Sequence, residues 1–147
     1  MVMRTVGTRE RAESVEDLAQ WVEDLKGCPP IGHTSVARCF HPMHGEEPAT
    51  WFYVEADAEA GVARLRCLSG GHVHELLDSA ERWSFPPAWS CLACSQSIAE
   101  VVYGISERGG KADWLAVAVR CVECGDVAGI CDLVLPSLDL DLLLGAL

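Results

Sequence analysis

"CLACSQSIAEVVYGISERGGKADWLAVAVRCVECG", residues 91–125, opens and closes on a CxxC pair, with 26 residues between the pairs. A CxxC turn lets two thiolates point inward from one tight knuckle, and a hairpin between two knuckles brings the second pair opposite the first. The spacing therefore predicts that Cys91, Cys94, Cys121 and Cys124 enclose one zinc ion in a tetrahedral sulfur cage. Four thiolates leave no open coordination position, so such a site holds structure and performs no hydrolysis. A small β-unit of this kind draws much of its folding energy from the metal.

Between the knuckles, "EVVYGIS" and "DWLAVAVRC" flank the glycine turn "ERGGKA", a hairpin whose second strand runs into a cysteine. The first half of the chain has the same plan, with "TWFYVEA" and "VARLRCL" flanking "DAEAG". "RCLSGGHVHELLD", residues 66–78, matches "RCVECGDVAGICD", residues 120–132, at Arg, Cys, Gly, Val and Asp, an offset of 54. We read an internal duplication, with length differences absorbed in the hairpin tips.

With its knuckles "CLAC" and "CVECG" separated by strands, the region from about residue 89 to 131 resembles the zinc-ribbon group and, more distantly, rubredoxins. In ribbons the four knuckle cysteines hold zinc, which the resemblance carries onto Cys91, Cys94, Cys121 and Cys124. Rubredoxins hold iron for electron transfer in a similar cage, but their knuckles carry proline and glycine that "CLAC" lacks. Zinc is the expected ion. A thioredoxin-like redox pair at "WSCLAC" would work without a second CxxC, and a zinc deaminase would need an HxE motif that "HVHE" does not supply.

The first half lacks a CxxC pair but holds all five histidines, His33, His41, His44, His72 and His74, together with Cys28, Cys39 and Cys67. Scattered histidines would fall this way roughly one time in thirty. The skew favours a rebuilt site over a lost one. At an offset of 50, His41 and His44 replace Cys91 and Cys94; at 52, Cys39 replaces Cys91 and one of the two histidines is its partner. The second alignment keeps a thiolate and is preferred. Cys39, His41 or His44, Cys67 and His72 then form a two-cysteine, two-histidine cage, giving two zinc ions in all. His72 is favoured over His74 because Gly70 and Gly71 permit a tight turn before it. Glu46, Glu47 or Glu75 beside an open metal would make a hydrolase, but no HExxH pattern is present. Cys131, opposite Leu77 in the repeat, reads as a core residue, and Cys28 as neutral or a helix-end residue.

A length of 147 residues and 50% apolar content suit one ordinary domain or two small ones. The net charge of -11 argues against binding nucleic acid or anionic lipid. No Lys or Arg falls between Cys39 and Ala63, where Glu46, Glu47, Glu55, Asp57 and Glu59 lie. No signal peptide or membrane-length apolar run is visible, so the expected compartment is the cytoplasm, where eight cysteines point to metal rather than disulfides. Nine arginines against two lysines, with no asparagine, suit a GC-rich bacterial source.

The expected fold is mainly β with an N-terminal helix: two zinc-ribbon-like lobes, residues 36–82 and 83–136, between an N-terminal helix and connector, 1–35, and an acidic-apolar tail, 137–147. The helix, "SVEDLAQWVEDL", has Ser14 as N-cap and Val15, Leu18, Val22 and Leu25 on one stripe; Gly27, Pro29 and Pro30 end it. "SAERWSFPPAWS" is an ordered connector, and the tail is a strand, a helix begun by Ser137, or a docking element. The expected function is a zinc-binding, non-enzymatic protein-interaction or regulatory adaptor, with a protein partner or a second copy as its target. The alternatives are a nucleic-acid-binding ribbon using Arg64, Arg66 and Arg120, a metal-dependent hydrolase, or a rubredoxin-like redox protein.

Overall fold

In the computed structural model of the protein, the described residues are 3–6, 9–25 and 29–147. Cys28 and Gly27 lie outside them. The element order is β1 (Met3–Val6), β2 (Arg9–Ala12), α1 (Val15–Glu23), β3 (His33–Val36), a 3-10 turn (Pro42–His44), β4 (Phe52–Asp57), β5 (Val62–Cys67), β6 (Val73–Glu75), β7 (Ala99–Arg108), β8 (Lys111–Cys121), β9 (Val127–Asp139) and α2 (Leu140–Ala146). The chain is mainly β, with a helix near its N-terminus, as the sequence indicates.

Both hairpins lie in one antiparallel sheet, ordered β6-β5-β4-β7-β8-β9, with β3 also paired to β7. β3 takes Val102 to Ile105 of the shared edge, while β4 meets it only at Phe52 opposite Ala99. Gly109 and Gly110 make the β7–β8 turn, both at positive φ (59° and 80°), the backbone that a two-residue hairpin with matching twist demands. The sheet curls so that β9 reaches the β4–β5 turn: Cys131 Sγ lies 3.7 Å from the Asp57 carbonyl and 3.8 Å from that of Val62. Inside the curl is the main core, with Phe52, Val54, Leu65, Val101, Ile105, Leu115 and Val117 among its buried members.

On the outer face of β7 and β8 sits α1. The Ser14 hydroxyl accepts from the Asp17 N–H at 3.2 Å, and the Asp17 carboxylate accepts from the N–H of Glu13, one residue before the cap. Leu18 and Val22 are fully buried against Val102 and Ala118. Gly104 makes this closeness possible, because a Cβ there would stand 2.5 Å from Val22 Cγ1. The helix closes at Glu23 with Asp24 as C-cap, ahead of the glycine and prolines expected to stop it, and Leu25 lies beyond it.

Three short strands lack a strong sequence signature. β1 and β2 pair with each other, and β2 docks on the second knuckle, where the Ala12 N–H donates to the Gly125 carbonyl at 2.8 Å. Arg120 secures this arm by donating to the carbonyls of Ala12 and Glu13 while pairing with Glu100 at 2.7 Å. β3, "HTSV", follows Gly32 and carries β-branched Thr34 and Val36, a signal short enough to pass for loop.

The connector is held by Trp83, which lies over the Arg64 guanidinium at 3.8 Å, and by Trp89, which packs on the core while its backbone N–H donates to the Val54 carbonyl; Phe85 stands exposed. The tail is partly strand and partly helix. Leu138 and Asp139 extend β9 opposite Ala112 and Lys111, and the helix is capped by Asp139, whose carboxylate accepts from Asp141 and Leu142, rather than by Ser137. Ser137 instead sits at φ 54° in a kink of β9.

Candidate metal centres

The second centre comes straight from the knuckle pattern. Cys91 and Cys94 flank the turn before β7, Cys121 ends β8 and Cys124 lies in the turn that follows, so the hairpin's own pairing, Ala99 opposite Cys121, carries one knuckle to the other. Cys91 Sγ is 3.6 Å from Cys124 Sγ, and Cys94 Sγ is 3.5 Å from Cys121 Sγ. Two sulfurs each about 2.3 Å from a tetrahedral ion stand about 3.8 Å apart. All four sulfurs lie within 4.8 Å of one another. Burial pushes the Cys124 thiol up to about 12 and raises Cys121, whereas the Gln96 backbone N–H lowers Cys94. A metal loading here must displace protons from at least two thiols that resist losing them.

The first centre gathers Cys39, His44, Cys67 and His72, again with donors within 4.8 Å of one another. His44 Nε2 stands 3.2 Å from Cys39 Sγ and 3.4 Å from Cys67 Sγ, and His72 Nδ1 is 3.9 Å from Cys39 Sγ. A sulfur and a nitrogen on one tetrahedral zinc stand about 3.5 Å apart, so this set also has the span of a metal cage. Both cysteines are buried, and burial raises the Cys39 thiol. Burial, followed by the neighbouring His41, His44 and His74, lowers His72, favouring the neutral imidazole that binds metal.

Backbone hydrogen bonds decide which histidines join. Cys39 and Ala49 exchange both N–H···O bonds, closing the loop, and the Pro42–His44 turn swings His44 inward. His41 stays out of the four: its Nδ1 accepts from the Met43 N–H, and its ring stacks on His72 with centroids 3.8 Å apart. The alignment that retains Cys39 is therefore the one whose residues assemble, with His44 as partner. His74 points elsewhere, edge-on to Phe52, and His33 lies 3.8 Å from Glu107.

The two downstream turns are built alike. Gly71 and Cys67 exchange with their neighbours as Gly125 and Cys121 do: Gly71 N–H to Cys67 O and Cys67 N–H to His72 O, against Gly125 to Cys121 and Cys121 to Asp126, all 2.8 Å. Gly71 and Gly125 both have positive φ, 68° and 80°. Within this shared turn the candidate donor stands at Cys124 in one copy and, in the other, at His72, which matches the place of Asp126. Gly70, at the place of Cys124, has no room for a side chain, since a Cβ would meet the His72 ring at 2.5 Å.

These clusters are compatible with zinc-ribbon-like metal sites. No protein-family model matches the chain, and no characterised protein or solved structure matches it either. No helix among the described residues is long and apolar enough to cross a membrane.

Proposed function

We propose that this chain is a zinc-binding, non-enzymatic adaptor of the zinc-ribbon kind, holding two zinc ions and presenting a surface to a protein partner. The observation that carries it is the pair of four-donor clusters with tetrahedral dimensions, each already complete without a solvent position. Zinc suits both sets, thiolate-only and mixed with imidazole. The likeness of the two downstream turns supports descent of both lobes from one duplicated unit. Tryptophan and tyrosine anchor many interfaces, and Trp51, just ahead of β4, and Tyr53, on β4, both stand exposed, as do Met43 and Val73.

Nucleic-acid binding has less support. Of the three arginines that would make its basic patch, Arg64 is paired with Glu75 at 2.6 Å and covered by Trp83, and Arg120 is consumed by Glu100 and the N-terminal arm. The acidic balance works in the same direction. A cytoplasmic, bacterial setting and a protein or self-association partner complete the proposal.

Metal analysis of the purified protein tests the core of it. Two zinc ions per chain are expected, falling to one in Cys67→Ala and in His72→Ala; a single ion throughout, or iron in place of zinc, overturns it. The adaptor role is tested by recovery of a stoichiometric protein partner that Trp51→Ser with Tyr53→Ser releases. A gel-shift with single- and double-stranded nucleic acid at low salt is expected to show no retention.

A further inference from the structure

A cleft of about 470 Å³ opens on the outer side of β7 to β9, beside Pro29 and Pro30. Its volume is that of a small-ligand site, and none of the metal-cluster cysteines or histidines lines it. A β-bulge shapes it. Ser106 of β7 pairs with Trp114 of β8 and Glu107 with Ala112, which leaves Asp113 as the extra residue, and β9 loses register at the same place. Ala112 and Leu115, on either side, both belong to the main core. The bulge therefore turns Asp113 and Trp114 to the outer side together, where strict alternation would have sent one of them inward.

Two charges in this cleft lack partners. Asp113 lines it with a carboxylate that makes no hydrogen bond or ion pair among the described residues, and its Oδ1 is enclosed. Enclosed polar atoms nearly always have a partner, so one without any beside a cavity points to a group bound from outside. Rotation about the last side-chain bond, which is soft in aspartate, presents either oxygen to the cleft. Arg108 lines the same space from an exposed position and also pairs with no carboxylate, Asp113 included. Glu107, the other acid there, is engaged already: it accepts from the Gly110 N–H at 2.8 Å and lies 3.8 Å from His33. The walls between these charges are apolar, from Pro29, Pro30, Trp114, Val134 and Leu135. Val134 is 86% exposed, and the Trp114 indole is fixed by its N–H to Asp132 at 3.0 Å. Asp113 belongs to no group of three metal donors, which sets a metal ion aside. An acid and a base, both unpaired in one apolar cleft, suit a ligand that carries both opposite charges. We propose that the cleft binds a free α-amino acid with an apolar side chain, its ammonium on Asp113, its carboxylate on Arg108 and its side chain against Trp114 and the two prolines.

The test titrates the metal-loaded protein with L-leucine, L-leucinamide and N-acetyl-L-leucine at about pH 6.5, where a free α-amine is charged, following the Trp114 indole N–H by NMR. Leucine is expected to saturate with a dissociation constant on the order of 1 mM, the range open to so small a ligand. Leucinamide, which keeps only the ammonium, should bind about tenfold more weakly, as the loss of a hydrogen bond between charged groups does. The acetylated compound, which keeps only the carboxylate, should not saturate. Arg108→Gln should weaken leucine about tenfold and leave leucinamide unchanged. Asp113→Asn should abolish binding of both while the metal content and the rest of the NMR spectrum stay as they are, since the carboxylate holds nothing within the protein. Failure of leucine to saturate overturns the site, as does unchanged leucine affinity in Asp113→Asn. Equal binding of leucine and leucinamide, or an Arg108→Gln loss shared by both, overturns the assignment of a doubly charged ligand. The cleft contains no metal donor, so each of these results leaves the proposed zinc centres standing.

Discussion

His41 and His44 are three residues apart in one short turn, yet only His44 reaches the cluster. The reason is local: His41 caps the turn with its own Nδ1 and stacks on His72, so its ring is committed before a metal could recruit it. Replacing His41 or His74 by alanine should leave two zinc ions bound, unlike His44→Ala, a difference metal analysis reads directly. Cys131 makes the opposite case among the cysteines. Burial, reinforced by Asp132 and Asp57, pushes its thiol up to about 11. Its folded value lies above the unfolded one, so its contribution to stability is complete below about pH 9 and is lost as pH rises from there to about 11. At pH 8 the folded protein should therefore keep Cys131 unalkylated by iodoacetamide, as peptide mapping by mass would show, and unfolding should release it.

At the scale of elements, the two knuckle turns share a backbone and differ in the position of the fourth ligand. Gly125 serves its turn twice over. It adopts φ 80°, and a Cβ there would stand 2.6 Å from the Ala12 carbonyl, which is backbone and cannot step aside. Gly125→Ala should cost about 1–3 kcal/mol and loosen the β1–β2 arm, lowering the thermal midpoint of the zinc-loaded protein by several degrees. Gly129→Ala, where a Cβ meets nothing within 4 Å, is the control and should change stability by no more than about 0.5 kcal/mol. The β5 and β8 strands were legible because each ends in a cysteine after an apolar run, and α1 because its stripe and cap both follow helical spacing. β2 was not, because "RERA" has no apolar alternation; what makes it a strand is its pairing with β1, and Ala12 then docks it to the knuckle at Gly125.

For the molecule as a whole, the two centres carry unequal loads. With metal bound, the second would fasten the segment before β7 to the β8–β9 turn, and β7 is the strand on which α1, β3 and β4 all lean. The first, with metal bound, would fasten the 39–44 loop to the end of β5 and the start of β6. Cys67→Ala should therefore raise amide exchange in residues 39–51 and 68–75 while β7 to β9 stay protected, whereas Cys121→Ser should expose the entire sheet. Hydrogen exchange by mass spectrometry separates the two outcomes.

The sequence by itself determined the four-cysteine cluster, the two hairpins and the helix, because CxxC spacing, period-two strands and a capped apolar stripe are local patterns that hold wherever the segment lies. It left open which histidines complete the first cluster, the curl that joins both hairpins in one sheet, and the cleft at Asp113. Those depend on residues far apart in sequence meeting across the core, Cys39 with His72 and Cys131 with Asp57, and on a backbone turn that spends one imidazole to aim another. Only the tertiary structure decides where such contacts fall.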